Sequence, residues 1–315
     1  MDFAYSITPA YGTERNMALD PRLLRILLAV SRERSLSAAA VRLNMTQPSV
    51  SIAIAQLEDR VGRQVVLRDR KGAVLTSTGE TLARHARAIE NVLLRADQDL
   101  RHQQDNVDGP LVIGGTTGAL LAIVPRVMAL LQAEGRPLDI ALHDATDQDL
   151  SELLHSHAVD LVLSSAPAQA GPHDVEQILL LREPFLLVAG PKASLPYQGL
   201  TVRQAAQHPW VLPLAQGATR SQVEAMFLSA DTPLPVNVVR CDLLATMKEL
   251  VRHSAALALL PASVVQADIE AGLLSTAPLV GGPPPRRLVA QRLRNVELSP
   301  VADRFLRYAQ TLQEL

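Results

Sequence analysis

Apolar positions along the chain change period several times, and each change marks an element. Asp20-Pro21 reads as a cap with a proline in the first turn, and Leu23, Leu24, Leu27 and Leu28 then share one side of a helix. Ser35 or Ser37 can cap a short helix over 38–43, which Asn44 ends in the left-handed conformation. Thr46 caps the next helix, with Pro48 in its first turn. Val50, Ile54, Leu57 and Val61 form its core stripe at i, i+4, i+7 and i+11. Short apolar runs at 65–67 and 73–75 flank Arg68, Arg70, Lys71 and Gly72, predicting a β-hairpin with a basic tip. Ser77-Thr-Gly-Glu80 has the form of a capping box. Behind it Leu82, Ala86, Ile89, Leu93, Ala96 and Leu100 alternate spacings of four and three, a seam of about three heptads that suits pairing of two chains. An amphipathic helix lying on its own domain is the other reading of that seam. Residues 103–110 are a polar hinge ending in Gly-Pro.

Beyond Pro110, strands at 111–114, 138–143 and 160–164 alternate with helices at 119–131 and 147–154. This βαβαβ order predicts a mostly parallel sheet with covered faces. A second α/β run covers 185–189, 210–213, 221–228, 236–240, 243–252 and 256–260. Gly-Gly-Pro-Pro-Pro at 281–285 reads as a return connection before a strand over 286–292 and a closing helix over 300–312.

The helix after Thr46 has an outer face without charge: Pro48, Ser51, Ile52, Ala55 and Gln56. A solvated helix usually carries Lys, Glu or Arg there. Small uncharged side chains with one exposed Ile suit a major groove, which rewards close approach, hydrogen bonds from Gln or Ser, and apolar contact with thymine methyls. Helix, tight turn, helix is the spacing of a DNA-reading pair, although an ordinary αα-hairpin has the same outline. Charge separates the two. Residues 20–75 hold ten Lys+Arg against five Asp+Glu, while the whole chain carries −2. Basic charge is therefore concentrated where phosphates would bind, and the hairpin tip can sit on them as a wing.

Several classes are excluded or disfavoured. No apolar run approaches the ~18–20 residues that span a bilayer, so no membrane partner is expected. Residues 1–18 lack a basic start followed by an apolar block and are expected to be a mobile leader rather than a secretory signal. A single cysteine, Cys241, rules out an internal disulfide and fits a reducing, cytoplasmic compartment. Gly114-Gly-Thr-Thr-Gly118 lacks the full dinucleotide-binding spacing, and the two histidines of His155-x-His157 do not share a helix face. No nucleophile elbow occurs, so neither an enzyme nor a metal or cofactor is expected.

Ser35-Leu-Ser-Ala-Ala-Ala, Thr46-Gln-Pro-Ser-Val-Ser, Leu57-Glu, Leu67-Arg68 and Leu75-Thr76-Ser-Thr-Gly79 fall in order over about sixty residues. Together they resemble the N-terminal domain of LysR-type transcriptional regulators, and looser similarity continues along the chain. Two lobes, with a crossing near 184 and a return near 284, resemble that family's periplasmic-binding-protein-like effector domain. The resemblance implies an α plus α/β protein: a winged helix-turn-helix at 19–78, a linker and dimerisation helix with hinge at 79–109, and an effector domain at 110–315. Lobe I would comprise 110–184 and 285–315, and lobe II 185–284. It implies a homodimer or homotetramer on double-stranded DNA carrying an inverted repeat, with RNA polymerase as a further partner. Many members carry a basic or polar residue where this chain has Ile52, so apolar readout there, with hydrogen bonds from Gln47 and Ser49, is expected instead. The DNA-contacting set is then Ser35, Thr46, Gln47, Pro48, Ser49, Ser51, Ile52, Arg68, Arg70, Lys71 and Thr76.

In open α/β lobes, ligands sit outside the carboxyl ends of strands and against helix N-termini. Those ends carry Thr116, Thr117 and Gly118, then Thr146, Ser164, and Leu214, Gln216 and Thr219 across the cleft. Hydroxyls with free backbone N–H groups would cradle a small anionic organic effector, although Ser and Thr also serve simply as helix caps. A DNA-organising protein without an effector is the alternative, and it would need no cleft.

Overall fold

The computed structural model describes residues 19–69, 72–166, 172–193, 195–214 and 218–312. The expected leader at 1–18, and Arg70, Lys71 and Gln216, lie outside the described residues. Two compact units, Met1–Ala96 and Asp97–Leu315, divide the chain.

In the first unit, Asp20 caps α1 (Pro21–Glu33) by accepting from Arg22 N at 2.9 Å. Ser35, rather than Ser37, caps α2 (Leu36–Arg42) by accepting from Ala38 N at 3.3 Å. Asn44 turns the chain at φ 53°. Thr46 caps α3 (Gln47–Val61), and Gly62 ends it at φ 71°, the left-handed position that glycine adopts without a Cβ penalty. Val50, Ile54 and Leu57 are buried against Leu23, Leu24, Leu27 and Leu28 of α1, and Val61 packs at the margin.

Strands β1 (Val66–Asp69) and β2 (Gly72–Leu75) pair antiparallel, Val66 opposite Leu75. Glu58 Oε1 holds the base of this wing, accepting from Val65 N at 2.9 Å and Val66 N at 3.2 Å. Gly72 passes so close to the Arg34 carbonyl that a Cβ would collide with it, and Ala73 N donates to that carbonyl at 2.8 Å.

Helix α4 runs Ser77–Asp105. Its cap lies one residue before the expected capping box: Thr76 Oγ1 accepts from Gly79 N at 3.1 Å. The expected pairing seam is also shorter than its sequence pattern. Leu82 and Ala86 are buried in the core of their own unit, whereas Ile89, Leu93, Ala96 and Leu100 are exposed. The heptad pattern is continuous because the same apolar stripe serves the winged core first and open surface afterwards.

The second unit takes in the end of α4 and then β3 (Asp108–Gly115), α5 (Thr117–Ala133), β4 (Leu138–Asp144), α6 (Asp147–His155), β5 (Leu161–Ser165) and β6 (Val175–Glu183). There follow β7 (Phe185–Ala189), β8 (Leu200–Thr201), α7 (Val202–Ala205), β9 (Trp210–Leu212), α8 (Ala218–Ser229), β10 (Val238–Arg240) and α9 (Leu244–His253). The chain closes with β11 (Leu257–Pro261), α10 (Ala262–Glu270), β12 (Ser275–Ala277), β13 (Leu279–Val280), β14 (Arg286–Leu293) and α11 (Pro300–Thr311).

Two five-stranded sheets have the orders β4-β3-β5-β14-β6 and β10-β9-β11-β7-β12, and β13 pairs with β8 in a two-stranded sheet. The expectation of a mostly parallel sheet holds for β3 with β4 and β5, but β14 pairs antiparallel with both β5 and β6. In the second sheet β9 is parallel to β10 and β11, while β7 is antiparallel to β11 and β12. Returning strands cause this mixture: each enters a sheet from the hinge side. Leu111, Ile113, Ile123, Leu163 and Phe305 belong to the core of the first lobe. Trp210 anchors the second, meeting Phe227 edge-on at 5.4 Å and donating from Nε1 to the Ala205 carbonyl at 2.7 Å.

Near the end of α4, His102 Nδ1 lies 2.7 Å from the Gln98 carbonyl and Nε2 2.8 Å from Asp139 Oδ2. The carbonyl first, and then the carboxylate, raise its pKa above the usual histidine value. A raised folded-state pKa makes this contact stabilising in full below the unfolded value of about 6.5 and lost as pH rises through the folded value. Imidazole NMR titration should give a folded pKa above that of a model peptide, falling on Asp139→Asn. An unshifted titration in the wild type would contradict the contact.

Candidate functional site

Two places bring functional side chains together, one in each unit. In the first, α3 exposes Gln47, Pro48, Ser49, Ala55 and Gln56, with Ile52 at 59% exposure on the same helix. This face is uncharged through the N-terminal turns of α3, and the exposed Asp59 and Arg60 continue it one turn further on. Thr46 Oγ1 lies 2.8 Å from Ser49 Oγ and accepts from Ser49 N, so these two hydroxyls first define the helix start. Ser35 likewise serves as a cap. Thr76, expected among the DNA-contacting residues, donates to the Gln64 carbonyl at 2.8 Å and caps α4, so its hydroxyl also anchors the wing to that helix. Arg68 lies on β1, at the wing. Val41 of α2 is a further exposed apolar residue of this unit, which the sequence pattern did not single out.

In the second unit, a cavity of about 410 Å³ opens between the lobes. Its first wall is made by Thr116, Thr117 and Gly118 where β3 enters α5, by Asp144, Ala145, Thr146 and Asp147 where β4 enters α6, and by Ser165. The facing wall includes Pro213, Thr219, Arg220, Cys241, Asp242 and Leu243, with Pro261 and Arg286 at the hinge. Thr117 Oγ1 donates to both oxygens of Asp144, at 2.8 and 3.0 Å. Thr146 caps α6 and donates to Asp149 Oδ2 at 2.7 Å. Burial pushes the Asp147 carboxyl above the usual carboxylate range.

Ser164 is corrected. It is buried, and its hydroxyl accepts from Gln291 Nε2 at 2.8 Å; its neighbour Ser165 lines the cavity instead. Adjacent strand residues face opposite sides, so a one-residue shift moves the hydroxyl from cleft to interior. Leu214 also stands outside the lining and acts through its backbone: its N donates to Asp242 Oδ1 at 2.8 Å and its carbonyl accepts from Arg220 Nη1 at 2.6 Å.

The feature missed altogether is a buried ion pair where the chain crosses between lobes. Arg286 and Glu183 are each 4% exposed, with Arg286 Nη2 and Nε at 2.6 and 2.8 Å from Glu183 Oε2. Nη2 also donates to the Gly118 carbonyl at 3.0 Å, and Glu183 Oε1 accepts from Ser263 N at 2.7 Å. The pair thereby joins both crossing strands to the starts of α5 and α10. Burial lowers the Arg286 pKa from its usual value, and the Glu183 carboxylate works in the opposite direction. The only signal in the sequence was a charged residue on either side of a predicted lobe boundary.

Among the described residues, no group of three or more His, Cys, Asp or Glu is placed to hold a metal ion, and no helix is long and apolar enough to cross a membrane.

Comparison with known proteins covers both units. The family described as "Bacterial regulatory helix-turn-helix protein, lysR family" matches residues 21–80, and "LysR substrate binding domain" matches residues 104–313. The RuBisCO operon transcriptional regulator of Allochromatium vinosum is 27% identical over 292 residues, covering 92% of this chain and 95% of that protein. The solved structure of ArgP from Mycobacterium tuberculosis superposes with a TM-score of 0.68 at 18% identity, covering 93% of this chain and 97% of that one. Full-length CbnR complexed with its target DNA superposes with a TM-score of 0.65 at 20% identity, covering 93% and 99%.

Proposed function

The chain belongs to the LysR family of DNA-binding transcriptional regulators, which are not enzymes, and we propose that α3 reads an inverted-repeat promoter site while the cleft between the lobes takes a small organic effector. The uncharged N-terminal turns of α3's outer face, set beside a wing, carry this reading. The proposed division is a winged domain over 19–78, a linker over 79–109 and an effector domain over 110–315, its first boundary falling in the first turn of α4 and its second within β3. The protein works in the cytoplasm as a homodimer or a dimer of dimers. Closure of the lobes on the effector changes the placement of its reading heads, and the response is delivered to RNA polymerase.

Specificity and affinity should separate on mutation. Gln47→Ala or Ile52→Ala should change the preference among operator variants by about 1–3 kcal/mol, the value of a good base contact. Arg68→Ala should instead weaken binding to all sequences and flatten its salt dependence. Fluorescence anisotropy on an operator panel at several salt concentrations makes the comparison. If neither α3 variant alters preference, the reading face is misassigned.

A further inference from the structure

The charges around the cleft do not suit a simple anion. Asp144, Asp147 and Asp242 line it, against Arg220 and Arg286. Each of those cations already has its own glutamate: Arg220 Nε lies 2.7 Å from Glu224, and Arg286 is paired with Glu183. The Asp147 carboxylate makes no hydrogen bond or ion pair among the described residues. A lone organic acid would therefore meet three carboxylates and no uncompensated cation.

The same cavity also presents donors. Arg286 is more than nine-tenths buried, yet its Nη1 has no acceptor among the described residues, while Nε and Nη2 are committed. Its guanidinium lines the cleft beside the first turn of α5, where Ala119 N and Leu120 N donate to the Thr116 carbonyl while the Thr117 and Gly118 N–H groups have no acceptor among the described residues. Gly118 keeps this approach open: a Cβ there would stand 3.0 Å from Nη1. An amine alone would leave these donors unmet. A molecule carrying both groups satisfies both ends, and it enters with no net charge for the carboxylates to repel. A cavity of about 410 Å³ is of the size that takes such small molecules.

We propose that the effector is zwitterionic, of the amino-acid class, with its carboxylate on Arg286 Nη1 and the start of α5 and its amine against Asp144, Asp147 and Asp242. This rests on the effector reading above and deepens it, replacing the purely anionic ligand expected from the hydroxyl-rich strand ends.

The test uses the full-length protein and three probe sets: the proteinogenic L-amino acids with ornithine, the amines left by removing their carboxylates, and the acids left by removing their amines. Thermal shift screens all three sets, and calorimetry measures those that bind. At least one amino acid should raise the Tm, and its matched amine and acid should each bind at least about tenfold more weakly, the loss of one good charged contact. Asp147→Asn should weaken the amino acid by a similar factor while leaving the matched acid within twofold (roughly 0.4 kcal/mol) and the unliganded Tm unchanged. Gly118→Ala should weaken the amino acid and the acid alike. An acid that binds as tightly as its amino acid, and is lost in Gly118→Ala, would overturn the zwitterion and leave the effector cleft standing. Amino-acid binding that neither variant alters would overturn the placement. Silence from all three sets would remove both the zwitterion and the effector reading, with DNA recognition untouched.

Discussion

Glu183→Ala should lower the stability of the C-terminal unit by about 3–5 kcal/mol, the cost of leaving a buried charge without its partner. Arg286 cannot shed its proton at any ordinary pH, and at 4% exposure it recovers little solvation through the cleft. The substitution also removes the acceptor of Ser263 N at the start of α10. Replacing both charges, Glu183→Leu with Arg286→Met, should recover most of the loss, because the cost lies in the orphaned ion rather than in the absence of a net favourable attraction. Urea unfolding monitored by circular dichroism measures both variants. A cost below about 1 kcal/mol for the single variant would mean that solvent enters the hinge and that the pair is not buried in solution.

The second large effect concerns association. Leu93→Lys should convert the protein to smaller species in sedimentation and reduce affinity for a full operator by about 10²–10⁴-fold, the gain that linking two binding modules confers. Leu93 and Leu100 are 65% and 61% exposed on α4, and Val92 and Leu94 beside them are exposed as well. Nothing in the chain's own core covers Leu93, so the substitution leaves the monomer intact while placing an ammonium in the contact. Affinity for an isolated half-site should be unchanged. An unaltered oligomer with unaltered operator affinity would show that this stripe does not pair chains.

Legibility in the sequence followed the range of the interactions. Caps at Asp20, Ser35 and Thr46 act within three residues, and the α1 and α3 stripes repeat within a helix, so the winged domain is readable locally. The element β6 was not, since Glu176, Gln177, Arg182 and Glu183 interrupt its apolar positions. It is a strand because β14, more than a hundred residues later, pairs with it. Strand direction was equally hidden: a strand buried on both faces shows the same residues whichever way it runs. Ser164 and Ser165 are chemically alike, and only the pleat decides which of them meets the cleft. Arg286 and Glu183, 103 positions apart, could be matched only once both crossing strands were in place.

Each carboxylate of the cleft stands where a strand hands over to a helix: Asp144 ends β4, Asp147 begins α6, and Asp242 lies between β10 and α9. None belongs to a hydrophobic core cluster. On the proposed placement, ligand choice is written on the rims of the lobes, apart from the layers that make them stable. Rim residues can be exchanged in combination with little toll on folding, so this chain is a practical starting point for laboratory evolution of genetically encoded sensors, with the reading head kept constant while libraries at 144, 147 and 242 are selected on new small molecules.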